Sequence, residues 1–409
     1  MNNKIYDVVI VGAGAAGLMT AICCRRHGLE VLLLDGQPKI GAKILMSGGT
    51  RCNVTNFDVN ERDYQSEELR TVRNVLKAFP ATQTIKFFRR LGVNLILEPG
   101  GKYFPTTHSG KTVLEAFLKE IDRLGVVLQT SCKVDHIEFD GKKFHVRGEN
   151  FATLSKTVVL CSGGLSYPTT GSDGVGYRLA KHFGHHLIPT TPALTPFGTS
   201  DQDWKDLSGV TLPARLTLHV DGKKHIAYED SFLFTHFGYS GPCVLDISRH
   251  WIRLKDKHDV KLTANFLPDF DEQLLRSSLD QFVKDHPKKL TKSFLVEKLP
   301  ERFIETFLKK IDLDDTIGVS QLKKENRERL ISGLLSCPLP VTGVIGYKKA
   351  EVTAGGVDFK EVDAKTLESK LQRGLFFAGE ILDVDGRIGG FNFQWAWASG
   401  YVVAQAIIK

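Results

Sequence analysis

The sequence predicts an α/β fold in which one discontinuous α/β domain is interrupted by an antiparallel β module and a helical module. Three observations predict it. A strand, glycine turn, helix, glycine stop and second strand follow one another within the first 35 residues. The texture changes near Pro189, where prolines intersperse alternating segments, and again near Phe270, where charge-rich amphipathic stretches begin. Strands and glycine clusters then return towards the carboxyl end. At 409 residues the chain exceeds the roughly 250–300 at which single cores stop growing, so more than one core is expected.

Tyr6–Val11 is a short β-branched run ending at Gly12, which reads as a buried strand. Ala15–His27 has helical composition and stops at Gly28, and Val31–Leu34 ends at Asp35. Such a βαβ unit makes its two strands parallel. Glu67–Gly92 reads as helical, as does Lys111–Leu124, and Val126–Leu128, Val134–Phe139 and Thr157–Leu160 read as strands. Ala214–Val220 alternates as half-buried antiparallel strands do. Glu272–His286, Lys292–Ile311 and Gln321–Ser332 read as amphipathic helices, and a last helix closes the chain.

Gly12-Ala-Gly14-Ala-Ala-Gly17 is a G-x-G-x-x-G fingerprint leaving a strand, opening a helix and followed at the next strand end by Asp35. Gly12 permits the tight turn, Gly14 lets backbone approach a pyrophosphate, and Gly17 lets helix and strand pack closely. The helix N-terminus offers unpaired N–H groups to phosphate, and Asp35 suits ribose hydroxyls. The domain is therefore Rossmann-like and binds a dinucleotide. Lys43 and Arg51 flank a second glycine-rich stretch and suit a long anionic cofactor. Gly379-Glu380, Asp383 and Gly389-Gly390-Phe391-Asn392 resemble the second FAD contact of two-dinucleotide-binding flavoproteins, where the acid holds the ribityl chain. A helix starting near Asn392 would aim its N-terminus at the flavin and favour the reduced, negatively charged state. FAD is the expected cofactor.

The chain also resembles the HI0933-like, or YhiN/BaiN-type, NAD(P)/FAD-dependent oxidoreductases, which include aminoacetone oxidase-like flavoenzymes. The residues that carry this are GAGAAGLM at the start, KILMSGGTRCNVTN (43–56), SGGLSYPTTGSDGVGY (162–177), LFTHFGYSGP (233–242), EVTAGGVD (351–358), TLESKL (366–371) and FAGEILDVDGRIGGFNFQWAWASG (377–400). Thr50 stands where many relatives have Gly. The resemblance implies a FAD domain over 1–190 and 351–409, a β-barrel-like insert over 191–269 and 336–350, and a helical insert over 270–335. It implies FAD contacts from Ala16, Asp35, Lys43, Ser47, Val134 (through its backbone), Gly163, Glu380 and Asn392. Neighbouring Ala15, Gly36, Gly41 and Gly48 complete the candidate cofactor set.

His236 is the candidate acid/base, because histidine titrates near neutral pH, with Tyr239 beside it. Tyr167 and Tyr239 are candidates to line the substrate space, whereas Trp395 and Trp397 read as core. Seven cysteines form no C-x-x-C pair, which excludes a disulfide-reductase mechanism and suits a reducing, cytoplasmic setting. His182, His185 and His186 lack a supporting ligand set, so no metal is expected. No apolar run is long enough to span a membrane. A second dinucleotide fingerprint is missing, so NAD(P)H, if used, binds transiently. The expected reaction transfers a hydride between flavin N5 and a small organic substrate, and the flavin carries the chemistry. The net charge of +7 is mild and the charges read as interleaved, so no nucleic-acid partner is expected. The competing reading is an RNA-interacting or scaffold flavoprotein using Lys288, Lys289, Lys309, Lys310, Lys323 and Lys324 of the helical module.

Overall fold

In a computed structural model, which describes residues 4–409, the apolar run Ile5–Val11 forms β1 and sits mid-sheet. It pairs in parallel with β2 (Val31–Leu34) on one side and with the long strand Phe151–Leu160 on the other. Val127–Gln129 extends the parallel sheet beyond β2, and Leu375–Phe377 lies parallel to Val158–Leu160. The first half of Phe151–Leu160 pairs antiparallel with Phe144–Gly148, which pairs in turn with Val134–Phe139. Every residue of β2 is buried, as expected of a strand covered on both faces.

The crossover between β1 and β2 is α1 (Ala15–Arg26), which ends at His27 before Gly28 takes φ +85°. The closing helix, Phe391–Ile408, packs against α1. Gly400 permits that approach, since a Cβ there would lie 2.6 Å from the Ala16 carbonyl oxygen. Thr20 sits in the same crossing, donating its hydroxyl to Ala16 O and lying 3.2 Å from Gly400 O. Trp395 and Trp397 are core, their indole N–H groups donating to Gly379 O and Val54 O.

Two expected helices are each divided. Glu67–Gly92 becomes Leu69–Ala78 and Ala81–Arg90, and Lys292–Ile311 becomes Thr291–Val296 and Glu301–Lys310. The cause is the same in both: Pro80 and Pro300 cannot donate into a helix ladder and push the preceding residue out of helical geometry, so each starts a new helix.

By internal contacts the chain forms two units, one running to Pro192 and resuming over Glu351–Lys409, the other Ala193–Ala350. The second holds a seven-stranded antiparallel sheet in the order Cys337–Pro338, Val260–Asn265, Thr211–Val220, Lys223–Thr235, Gly238–Ser240, Phe197–Gly198, Gly343–Val344. Thr211–Val220 alternates exposed and buried, so its inward residues Leu212, Ala214, Leu216 and Leu218 meet the core. The helices Glu272–Asp285, Glu301–Lys310 and Lys324–Leu335 share that core. Trp204 joins the two layers, stacking on Phe234 of the sheet and Phe303 of the helices.

His250, on the helix Pro242–Leu254 of this unit, is pulled down to about 4, first by burial and then by Arg249, His225 and Arg253. Its folded pKa lies below the unfolded value, so its contribution is complete above about 6.5 and drains away as pH falls towards 4. Unfolding of His250→Phe at pH 7.5 and pH 4.5 should show an acid-induced loss smaller by about 2 kcal/mol than in the native chain. An unchanged loss would place the acid sensitivity elsewhere.

Candidate functional site

The three fingerprint glycines differ in what they need. A Cβ on Gly12 would lie 2.5 Å from Cys161 O, and one on Gly17 would lie 1.9 Å from Gly12 O. Those two are demanded by the protein's own packing. Gly14 is not: a Cβ there meets nothing within 4 Å. The space it leaves lies at the N-terminus of α1, where no side chain caps the helix and no acid stands in the first turn. Free amide N–H groups and the helix dipole make that space anion-seeking.

Asp35 closes β2 and is fixed by the loops it joins, accepting from Ala13 N–H at 2.7 Å and Gln37 N–H at 2.8 Å. Burial raises its carboxyl above the usual carboxylate value. Each oxygen has spare acceptor capacity beyond its amide bond. Ser131 and Cys132 donate their amides to Gln37 O and Asp35 O, and Gly36 leaves room for Lys133, whose Cβ would be 3.3 Å from a Cβ there. Val134, buried at the head of its strand, follows directly. Asp35, Gly36 and Val134 thus share one edge of the site.

The carboxyl-terminal segment meets this loop. Gly379, at φ +79°, would place a Cβ 3.0 Å from Ala16 Cβ in the first turn of α1. The closing helix clamps it: Gly379 N–H donates to Ser399 Oγ, and Trp395 donates to Gly379 O. Glu380 then reaches Lys43 Nζ at 2.6 Å through Oε2 and accepts from Ser166 Oγ and Thr353 N–H through Oε1. Lys43 also donates to Ser166 Oγ. Thr353 in turn accepts the Leu165 and Ser166 amides through Oγ1. Ser166 and Thr353 escaped the sequence reading, although both lie within the stretches that carried the resemblance.

Gly41 takes φ +70° and would clash with Leu114 if substituted; it caps the short helix Ala42–Met46 that carries Lys43. Ser47 ends that helix, its carbonyl accepting from Cys52 N–H, and Gly48 follows at φ +57°. Gly163 at φ +70° would bring a Cβ within 3.0 Å of Ser172 Oγ. Gly390 caps the closing helix at φ +93°, and a Cβ on it would lie 2.7 Å from Asn53 Oδ1 and from the Thr55 backbone. Asn392 ties the preceding loop down by donating to Gly386 O and accepting Gly386 N–H. Phe391 is buried, with Tyr64 donating to its carbonyl, and Asp383 is buried nearby in sequence, its amide donating to Val357 O. Asn53 Oδ1 and Ser162 Oγ are buried with no hydrogen-bond partner among the described residues. A cradle open at Gly14, two uncapped helix starts and buried polar atoms without partners are the features a dinucleotide would satisfy.

Other candidates are placed differently. Arg51 pairs with Glu98 through one guanidinium nitrogen at 3.0 and 3.1 Å and lies over the Phe104 ring, so its charge is already engaged within the protein. Tyr239 does not line a substrate space. It is fully buried against Phe232 and Phe234, its hydroxyl donates to Thr199, and burial pushes its phenol well up. Tyr167 is half-buried with a backbone φ of +48°, and burial raises its phenol. His236 sits exposed in the turn before Gly238–Ser240, its ring against Phe237. His185 is buried between Ser369 and Glu361, and burial lowers its pKa.

All seven cysteines are free. Cys23, Cys52, Cys161, Cys243 and Cys337 are pushed up to about 12 by burial, which leaves them protonated and poor nucleophiles. Among the described residues no helix is long and apolar enough to cross a membrane.

Comparison with known proteins gives the site its context. The model of the HI0933-like protein Rossmann domain matches residues 6–406. A Haemophilus influenzae protein named ribosomal RNA dihydrouridine synthase is 34% identical over 413 residues, spanning 100% of both chains. A Clostridium scindens protein named 3-dehydro-bile acid delta(4,6)-reductase is 33% identical over 401 residues, covering 97% of this chain and 98% of its own. A 3-ketosteroid delta1-dehydrogenase from Sterolibacterium denitrificans shares the fold at 12% identity, with a TM-score of 0.52 over 99% of each chain. With its fingerprint loop and carboxyl-terminal segment brought together, and with this match along almost its whole length, the chain belongs to the HI0933-like family and is a FAD-dependent oxidoreductase.

Proposed function

We propose that this chain reduces a carbon–carbon double bond conjugated to a carbonyl, and that its substrate is a uridine of ribosomal RNA. The observation that carries this is the chemistry common to three full-length relatives. Making dihydrouridine saturates the C5=C6 bond conjugated to the uracil C4 carbonyl, and a delta(4,6)-reductase of a 3-dehydro bile acid saturates a bond conjugated to a ketone. Two of these three relatives carry the RNA name, which favours the RNA base. This revises the expectation that no nucleic acid is involved.

FAD, when bound, would supply the hydride chemistry for the carbon β to the carbonyl, with a proton needed at the α carbon and NAD(P)H as the transient source of electrons. The chain's part is to hold and tune. The open space at Gly14 and the start of α1 take the pyrophosphate, Asp35 the adenosine ribose, and Lys43 with Glu380 the ribityl side. The start of Phe391–Ile408 favours negative charge at the flavin by roughly 0.3–2 kcal/mol. The protonated, buried thiols support direct transfer from flavin to substrate without a thiol relay.

The test is anaerobic. NADPH alone should bleach the flavin slowly or not at all. Ribosomal RNA lacking dihydrouridine should then accept two hydrogens at a defined uridine, read by mass spectrometry of the digested RNA. If the RNA is unchanged while a steroid enone re-oxidises the reduced enzyme, the substrate is a small enone and the RNA reading fails.

A further inference from the structure

The charges are not interleaved everywhere. Residues 69–94 contain Arg70, Arg73, Lys77, Lys86, Arg89 and Arg90 and no carboxylate. The structure turns this stretch into the two amphipathic helices Leu69–Ala78 and Ala81–Arg90, joined at Pro80. Their apolar faces are buried through Val72, Val75, Leu76 and Phe79 on the first and Thr84, Phe87 and Phe88 on the second. All six cations are exposed. Arg73 pairs with Glu61, but Arg70, Lys77, Lys86, Arg89 and Arg90 form no ion pair among the described residues. The nearest acids in sequence on the amino side are Glu68, which precedes the first helix, and Glu67, which pairs with Lys360.

The face is also held rigidly. Gln394 of the closing helix donates to Phe79 O at the junction, and Thr84 donates to Gln394 Oε1. Arg70, Arg73 and Lys77 stand on successive turns, spanning about 10 Å of helix, which matches about three nucleotides of a helical strand. The helical stretch 270–335, read from sequence as the RNA-contacting module, differs. There Arg276 pairs with Glu272 and Glu328, Lys309 with Asp203, Lys310 with Asp201, Arg327 with Asp280 and Arg329 with Asp312. Six of its thirteen cations are paired in place and carboxylates are interspersed among the rest, whereas 69–94 holds no carboxylate and leaves five of its six cations for an external anion.

We propose that the exposed face of Leu69–Ala78 and Ala81–Arg90 docks the phosphate backbone of ribosomal RNA. This rests on the reading of RNA as the substrate. An anionic membrane is the poorer occupant, because Leu69 is the one exposed large apolar side chain on the two helices and a membrane-binding helix buries an apolar face in the lipid. A polyphosphate needs the charge without the grease.

The experiment compares the FAD-loaded wild-type chain with a variant carrying Arg70→Gln, Lys77→Gln, Lys86→Gln, Arg89→Gln and Arg90→Gln, all at exposed sites. A control carries Lys288→Gln, Lys289→Gln, Lys323→Gln and Lys324→Gln. The probe is deproteinised ribosomal RNA, bound across a salt series. The face variant should bind roughly a hundredfold more weakly at low salt and lose about 3 from the slope of log affinity against log salt, while the control keeps both. Re-oxidation of the reduced flavin by 2-cyclohexenone should be equal in all three, showing that the fold and the flavin are intact. Retained affinity and slope in the face variant would overturn the proposal, as would a binding loss confined to anionic phosphatidylglycerol vesicles. Failure of the substrate reading shows differently: wild-type protein binds the RNA through this face but leaves its uridines unreduced.

Discussion

Gly14→Val should yield a folded, colourless protein. The expected loss of FAD affinity is roughly a thousandfold, about 4 kcal/mol. The three glycines of this loop differ in what a side chain would meet. A side chain at position 14 meets no protein atom within 4 Å, so folding has nothing to object to. It does fill the space in front of the uncapped start of α1, where backbone must come close to a pyrophosphate. Gly17→Val should behave otherwise, because its Cβ would lie 1.9 Å from Gly12 O and the helix must leave the sheet. The first variant should keep its far-ultraviolet dichroism and lose the stabilisation that added FAD gives the native chain; the second should lose both. Stoichiometric FAD in the Gly14→Val protein would mean that the loop holds no phosphate.

Local rules made much of this legible in advance. β2 falls at Val31–Leu34 as read, because four buried apolar residues between a glycine stop and an acid leave little choice. Val134–Phe139 also falls where it is read. The errors are of another kind. Glu67–Gly92 and Lys292–Ile311 keep helical periodicity across Pro80 and Pro300, but the missing proline amide outweighs that periodicity. Tyr239 looked like a site residue because it follows a histidine in a glycine-rich segment; the strand pairing that buries it against Phe234 is a tertiary fact.

The site divides along the same line. Gly12, Gly17 and Asp35 announce themselves because one short segment contains both the geometry and its reason. Ser166 and Thr353 do not. Each is an ordinary hydroxyl until Glu380, more than two hundred residues from one and 27 from the other, is brought alongside. The cationic face over 69–94 was present in the sequence but masked by the chain-wide balance of charge; only the helices show that its members share an exposed side.

Lys43→Met tests whether that distant assembly matters as a unit. Lys43 Nζ lies 2.6 Å from both Glu380 Oε2 and Ser166 Oγ, and the pair is only partly exposed, at 27% and 17% of the side chains. Removing the ammonium leaves Glu380 with the Ser166 hydroxyl and the Thr353 amide, enough to hold its position but not its charge. Breaking a fully buried pair costs about 3–5 kcal/mol; with this much solvent about 2 kcal/mol is expected in urea unfolding of the FAD-free chain. Glu380→Gln keeps the shape and the bond to Thr353 while removing the charge, so it should cost less. The double variant should then recover part of the loss, a coupling of about 1–2 kcal/mol, because the two side chains no longer leave each other unpaired. Additive losses would mean that Lys43 and Glu380 act separately. FAD affinity should follow the same cycle, since Glu380 follows Gly379, which rests against Ala16 at the start of α1. A substitution at residue 43 would thus be felt at a loop drawn from both ends of the chain.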